Sequence, residues 1–390
     1  MAQAVRHDSM RARNLALVLG EVSRNGPVTR AALAEITGLT KTTVSKLVGD
    51  LLESGMVTES PPPADADRSR GRPGVAVRLR GDRVAALGLE INVDYLSVCV
   101  MDLTRTVRLR RTQAVDNRDS SSTDVVRNLR DLALQAVDEA AAAGLSVAGA
   151  ALAVPGPVDP AQGLVHSAPN LGWGDVRPAD LLDLPFPVLV DNEANLAALG
   201  ELWFGSGMPD FLYVSGEIGI GAGLVFGGAL FRGTRGFAGE LGHVVVDPGG
   251  PDCRCGGRGC LERYAGQDAL LDAAPDGLLD GLIRRLTAGD TRARAACEQA
   301  GRALGTALTS AVHLLDPGTI ILGGIFAPLF PWLRGPAAEA LRHIRHVVPN
   351  FAVAEAGPDA AVLGGAGQVI QQVIADPAGH MPRATAGLQT

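Results

Sequence analysis

Three cysteines fall within eight residues, Cys253, Cys255 and Cys260, and the stretch Gly256-Gly257-Arg258-Gly259 lies between the last two. No other segment restricts the chain as much. Thiols this close along the backbone can meet at one point only if the chain doubles back, and the glycines permit that turn. The chain has five cysteines in 390 residues. Their clustering points to a metal site in a reducing compartment rather than a disulfide framework.

Length favours two or three domains over one core. Apolar residues make up 46% and charged residues 20%, the balance of a folded soluble chain. There is no apolar run of 18 residues, so no transmembrane helix is expected. Met1 to Arg13 is polar and lacks the apolar centre of a signal peptide, so the expected location is the cytoplasm.

The net charge of −7 conceals two unlike parts. Residues 1–80 carry twelve Arg or Lys against eight Asp or Glu, and the remainder carries 23 against 34. A small basic module on a large acidic body suits a nucleic-acid reader attached to something else.

Leu15, Val18, Leu19 and Val22 recur at helical spacing, and Asn25-Gly26-Pro27 ends that helix. Thr29 caps a short helix, Arg30 to Thr37, with Leu33 and Ile36 inward, and Gly38 closes it. Thr40 caps a third helix that buries Val44, Leu47, Val48 and Leu51. This is a helix-turn-helix. Lys41, Thr42, Thr43, Ser45 and Lys46 occupy the early polar face of the third helix, where side chains can reach bases and phosphates in a major groove. Met56–Thr58 and Val75–Leu79 read as wing strands. Between them lie Arg68, Arg70 and Arg72, and Arg70-Gly71-Arg72-Pro73 has the core of a minor-groove hook. The expected partner is duplex DNA, bound as an inverted-repeat operator by a homodimer or tetramer. A protein-interaction module or a basic solvated hinge is the alternative for these segments.

From residue 84 the texture is α/β. Val84–Glu90, Tyr95–Asp102 and Val107–Ala114 read as a meander, and Ser122 to Ala143 as a long helix. Val147–Val154 and Pro187–Val190 read as strands and Glu193 to Trp203 as a helix. Phe211–Ser215, Ala222–Phe226 and Thr319–Leu322 read as further strands. The similar texture of the two halves suggests a duplicated fold.

Several of these segments together carry a resemblance. His243 followed by Cys253, Cys255 and Cys260, with Glu262 just after, resembles the zinc signature of the ROK family of repressors, open reading frames and sugar kinases. Glu240-Leu241-Gly242-His243, Asp191-Asn192-Glu193-Ala194-Asn195 and Pro169-Asn170-Leu171-Gly172-Trp173 resemble other segments of that family. Asp191–Asn195 is most similar to its xylose-type repressors. The resemblance runs from about residue 10 to 375. It implies an N-terminal all-α winged helix-turn-helix followed by a C-terminal α/β actin-like, sugar-kinase-like fold of two lobes. The corresponding divisions are 1–80 for the DNA-binding domain, 81–195 plus about 365–385 for the first lobe, and 196–364 for the second lobe with the zinc site.

The residue chemistry agrees with that reading. One imidazole and three thiolates form a closed tetrahedral set, which suits one structural Zn²⁺ per chain rather than a catalytic ion with an open position. The metal would take one nitrogen of His243 and leave the other for a ligand. A sugar needs paired acceptors and donors, and Asn170, Asn192, Glu193, Glu240, His243 and Glu262 supply them. By the resemblance all six line a cleft between the lobes.

Phosphoryl transfer is a poorer fit. Kinases of the family carry Asp-x-Gly-Gly-Thr after the first strand, where this chain has Glu90-Ile91-Asn92-Val93-Asp94. Their second phosphate loop has a Gly-Thr-Gly core, and here it reads Gly216-Glu217-Ile218-Gly219. A carboxylate about 5 Å from a phosphate costs roughly 3 kcal/mol at an effective dielectric of 20, and Asp94 and Glu217 would both impose it. Glu193 stands at the position of the kinases' catalytic Asp, one methylene longer, and is read as a vestigial base. The expectation is a sugar-responsive regulator, most simply a repressor, with no enzymatic activity. An active ATP-dependent sugar kinase carrying a DNA-binding module stays open as the alternative. In the regulator, sugar would shift the two lobes, and the helix-turn-helix would follow through the short connection Leu79–Val84.

Overall fold

The computed structural model describes residues 7–61, 75–118, 120–274, 276–342 and 349–380. Arg68, Arg70 and Arg72 lie outside them.

Three helices open the chain, α1 (His7–Asn25), α2 (Arg30–Thr37) and α3 (Lys41–Glu53). Both short helices are capped as the sequence predicts. Thr29 Oγ1 accepts the Ala32 N–H at 3.2 Å, Thr40 Oγ1 accepts the Thr43 N–H at 3.1 Å, and Gly38 takes φ 68°. Leu15, Val18, Leu19, Leu33, Val44, Leu47, Val48 and Leu51 are buried together. Ile36 is not, at 51% exposed. The inward stripe of α2 runs through Arg30, Leu33 and Thr37, whose hydroxyl bonds the Leu33 carbonyl, and Ile36 sits one position off it. A three-stranded antiparallel sheet completes the module: β1 (Val28–Thr29), β2 (Val57–Ser60) and β3 (Ala76–Leu79), ordered β1-β3-β2. The two-residue β1 pairs Val28 with Val77; it is too short to leave a periodic trace in the sequence.

The body is two five-stranded sheets of the same plan. The first has β4 (Val84–Ile91), β5 (Tyr95–Asp102), β6 (Val107–Ala114), β7 (Ser146–Val154) and β11 (Val188–Asn192), ordered β11-β7-β4-β5-β6. Helix α4 (Ser122–Ala142) packs on one face, capped by Ser121. A small sheet of β8 (Val158–Asp159), β9 (Leu164–Ala168) and β10 (Trp173–Val176), then α5 (Pro178–Leu182), precedes β11. Helix α6 (Glu193–Phe204) follows β11 directly.

The second sheet has β12 (Phe211–Gly216), β13 (Ile220–Phe226), β14 (Ala229–Phe231), β15 (Thr319–Gly324) and β16 (Asn350–Val353), ordered β14-β13-β12-β15-β16. In each sheet an antiparallel meander is extended by two parallel strands beside its first strand, so the fold is a duplication. The loop after β14 leads to α7 (Glu262–Ala265), α8 (Gln267–Leu271) and α9 (Leu279–Thr287). The long α10 (Thr291–Leu315) and α11 (Phe326–Leu341) supply much of the core on one face of this sheet. The chain ends in α12 (Ala360–Ala375) and α13 (Pro377–His380).

Helices α6 and α12 join the lobes. α12 packs on β4 and β7 of the first sheet and on α6, while α6 also packs on β13 of the second. The approach is backbone to backbone. A Cβ at Gly364 would collide with the Leu196 carbonyl oxygen, and one at Gly200 with that of Ala360. A division after residue 195 falls inside α6, and α12 begins at Ala360, ahead of 365. The N-terminal module does not hang from Leu79–Val84 alone. Helix α1 packs on α12 and α13, and its Leu15, Leu19 and Val22 share one core with Ala366, Val369, Ile370 and Val373.

Gly364→Ala is expected to wedge α6 from α12 and to cost about 1–3 kcal/mol, the usual price of overpacking. Thermal unfolding should show a lowered Tm; an unchanged Tm would contradict the close approach.

Candidate functional site

The six polar residues expected to act together line one cavity of about 700 Å³ between the sheets. Asn170 lies on the turn after β9, Asn192 ends β11 and Glu193 opens α6. Glu240 precedes a 3₁₀ turn in the loop after β14 that His243 ends, and Glu262 opens α7. The first three come from one lobe and the last three from the other.

Their commitments differ. Asn192 caps α6: its Oδ1 accepts the N–H groups of Ala194 and Asn195 at 2.9 and 3.2 Å, and its Nδ2 donates to the Gly156 carbonyl at 2.9 Å. That side chain shapes the cavity wall and has little bonding capacity left for a ligand. Glu262 Oε2 accepts the Ile220 N–H at 3.2 Å, which leaves its second oxygen for the cavity. Asn170 Oδ1 accepts from Arg254 Nη1 at 2.6 Å. Sequence reasoning passed over Arg254, although it stands between two of the cysteines. Asn92 and Glu217 also line the cavity.

His243, Cys253, Cys255 and Cys260 converge, with their ligand atoms all within 4.8 Å of one another. Cys255 Sγ and Cys260 Sγ lie 3.7 Å apart, and His243 Nδ1 and Cys253 Sγ 3.8 Å apart. A disulfide needs about 2.05 Å, so the pair is unbonded. Tetrahedral bonds of about 2.3 Å to sulfur put neighbouring sulfurs about 3.8 Å apart. The spacing therefore fits a four-coordinate metal ion. His243 turns Nδ1 toward this cluster and Nε2 toward Glu240, whose Oε2 is 3.9 Å away. One imidazole thus joins the cysteine cluster to the cavity.

Below the cavity the lobes are tied by an ion pair. Arg232, just after β14, places Nε 2.8 Å and Nη2 2.7 Å from Oδ2 of the buried Asp191. The other oxygen of Asp191 accepts the Asn192 N–H at 2.8 Å and Asn195 Nδ2 at 3.0 Å. Three hydrogen bonds to one carboxylate, with the Nη2 end of the guanidinium close by, hold the start of α6 in place.

A smaller cavity of about 320 Å³ adjoins, lined by Glu90, Glu193, Glu217, Tyr95 and Ser215 among others. The expectation for the first phosphate loop needs correction here. Asp94 is about half exposed and paired with Arg118 at 2.6 Å, and it lines neither cavity. The second carboxylate of this region is Glu90, only 4% exposed, bonded by the Tyr95 hydroxyl at 2.8 Å. It sits on β4, where a Glu in an otherwise apolar run was the available signal. Burial pushes the Glu90 carboxyl up to about 8 against the Tyr95 bond, and the Glu193 and Asp359 charges add to the rise. Burial carries Glu193 up to about 7. Glu217 is held well above the usual range by burial and by the charges of Glu193, Glu90 and Asp94. No Arg or Lys lines this cavity among the described residues, so nothing there would neutralise a phosphate.

On α3, Lys41, Thr42, Ser45 and Lys46 are exposed, and no ion pair holds either lysine among the described residues. Thr43 is half-buried, and its hydroxyl pairs with that of Thr40 at 2.8 Å. It belongs to the cap more than to the open face.

Because the folded Glu90 titrates above its unfolded value, the native state binds the extra proton between pH 4.5 and about 8. Its contribution is fully present below pH 4.5 and is lost as pH rises through about 8. Glu90→Gln keeps an acceptor for Tyr95 and removes the charge. Its Tm should match the wild type at pH 5 and exceed it by roughly 2–4 °C at pH 8.5. Parallel Tm curves across pH would contradict the assignment.

The sequence model of the ROK family matches residues 86–372, and that of the MarR family matches residues 15–66. The chain is 32% identical to the xylose repressor of Bacillus subtilis (strain 168), over 79% of this chain and 81% of that protein. A solved ROK family transcriptional regulator, a homologue of the Escherichia coli MLC protein, superposes with a TM-score of 0.79 at 24% identity, covering 94% of this chain and 97% of that one. A ROK family glucokinase from Streptomyces griseus, in complex with glucose and AMPPNP, gives 0.63 at 27% identity over 73% of this chain and 98% of that one. The glucokinase match spans about as much of this chain as the ROK segment, whereas the regulator match takes in nearly all of it. The chain belongs to the ROK family, with a MarR-like helix-turn-helix ahead of its ROK domain.

Proposed function

We propose that this protein is a sugar-responsive transcriptional repressor that binds an inverted-repeat operator as a symmetric oligomer and acts in the cytoplasm. The observation that carries the reading is the route from cleft to DNA-binding helix. Glu193 opens α6, α6 packs on α12, α12 packs on α1, and α1 packs on α3. A sugar that bridges the Asn170–Glu193 side and the Glu240–Glu262 side favours closure of the cleft, and α12 carries the change to the winged module. Half-sites are spaced by one helical turn, about 34 Å, so a shift of a few ångströms in one recognition helix misaligns the pair. Lys41, Thr42, Ser45 and Lys46 on α3 would read the groove, with Thr43 supporting them, and Arg68, Arg70 and Arg72 would enter the flanking minor groove.

Catalysis has no part in this reading. Glu90 and Glu217 stand beside Glu193, where a kinase would have to gather phosphates, and among the described residues no Arg or Lys lines that cavity to neutralise them. No helix among the described residues is long and apolar enough to cross a membrane.

Zn²⁺ fits the His243, Cys253, Cys255 and Cys260 set. It would hold the loop that carries Glu240 and Glu262 and fix the imidazole of His243, with Nε2 turned to the sugar. Cys255→Ser is expected to lower bound zinc from one per chain to near zero, by elemental analysis, and to abolish sugar binding with it. Full sugar affinity in zinc-free protein would contradict this role.

Linkage tests the mechanism. If sugar prefers the closed state about a hundredfold, the coupling is roughly 2.7 kcal/mol, and operator DNA must weaken sugar binding by the same factor. Calorimetry with xylose, glucose and N-acetylglucosamine, with and without operator, should show this reciprocity. His243→Ala and Glu262→Ala should remove it with the binding. Equal sugar affinity in both conditions, while sugar still releases DNA, would overturn the scheme.

A further inference from the structure

The sugar cleft does not end at its six polar residues. A second cavity of about 550 Å³ opens beside it, and Asn170, Ile218, Arg254 and Glu262 line both. Beyond that waist the second cavity is lined by Arg263, Asp268 and Ala269. It lies away from the buried carboxylates, since neither Glu90 nor Glu217 borders it.

Its charges are balanced. Two guanidiniums, Arg254 and Arg263, face two carboxylates, Glu262 and Asp268. Arg254 bridges the waist, 2.6 Å from Asn170 Oδ1 and 3.8 Å from Asp268 Oδ2. Arg263 is exposed and makes no ion pair among the described residues. An anionic substituent would meet two carboxylates here, and a cationic one two guanidiniums. A neutral polyol carries donors and acceptors on every hydroxyl and can satisfy both kinds at once. Ile218 and Ala269 offer small apolar surfaces to the face of a ring.

We propose that the effector is a neutral glycoside of two rings, one held by Asn170, Glu193, Glu240, His243 and Glu262, the other in the adjoining cavity by Arg254, Arg263 and Asp268. This rests on the sugar reading of the first cavity. The glycosidic bond passes between Asn170 and Glu262. The second ring gains bonds to side chains that a monosaccharide cannot reach, so the adjoining cavity sets the effector's length.

The test is calorimetry on the full chain with three monosaccharides, D-xylose, D-glucose and N-acetyl-D-glucosamine, and their disaccharides xylobiose, cellobiose, maltose, trehalose and N,N′-diacetylchitobiose. At least one disaccharide should bind tenfold or more tightly than its own monosaccharide. Arg263→Ala and Asp268→Asn change exposed side chains outside the first ring's site. Each should cut that advantage to threefold or less and leave monosaccharide affinity within about twofold. If monosaccharides bind and no disaccharide gains, or if the gain survives both substitutions, the second ring is refuted and the sugar site stands. If no sugar of either size binds, both readings fall.

Discussion

The contact on which the rest of this structure depends is the backbone-close packing of α6 against α12. Gly200 and Gly364 remove the side chains that would hold the two helices apart. Gly88 does the same where β4 meets the Val362 carbonyl. Interiors are packed too densely to absorb such displacements gradually. A movement at the start of α6 must therefore be passed on by α12 or resisted as a unit. Because α1 shares its core with α12, the DNA-binding module is seated on the same element, and the cleft and the recognition helix stand at two ends of one packed stack.

The charges around the cleft are segregated. On one side Glu90, Glu193 and Glu217 crowd into low-dielectric surroundings that favour their neutral forms. On the other side carboxylates stand beside donors or cations: Glu262 has the Ile220 N–H, Asp268 has Arg254, and Asp191 has Arg232. The first arrangement offers a phosphate no Arg or Lys among the described residues, and the second is suited to hydroxyl groups. A cleft with both properties favours recognition of an uncharged polyol over transfer of an anionic group. The His243 ring ties this chemistry to the cysteine loop, so the order of that loop and the shape of the cavity are not independent.

Much of the fold was legible in the chain. The caps Thr29 and Thr40, the left-handed Gly38 and the apolar stripes of α1 and α3 are local signals, each contained in one or two helical turns. The strands from Val84 to Ala114 and the helix from Ser122 end within a residue or so of where alternation and periodicity place them. The three cysteines announced their own convergence, since eight residues with three glycines can hardly keep them apart. Ile36 was misread because two turns of helix leave a phase error of one residue unresolved.

Tertiary structure decided what depends on residues far apart in sequence. Glu90, Glu193 and Glu217 come from a strand, a helix start and a loop, and no spacing relates them. Arg232 reaches Asp191, and Arg254 reaches Asn170, across the gap between lobes. Asp94, not Glu90, stood at the conspicuous end of the first loop, yet it pairs with Arg118 and lines neither cavity. Periodicity and capping report how a segment meets its immediate neighbours along the chain. Which segments share a cavity is set by the order of strands in two sheets and by the glycines that let two helices touch, and that information exists only in the folded chain.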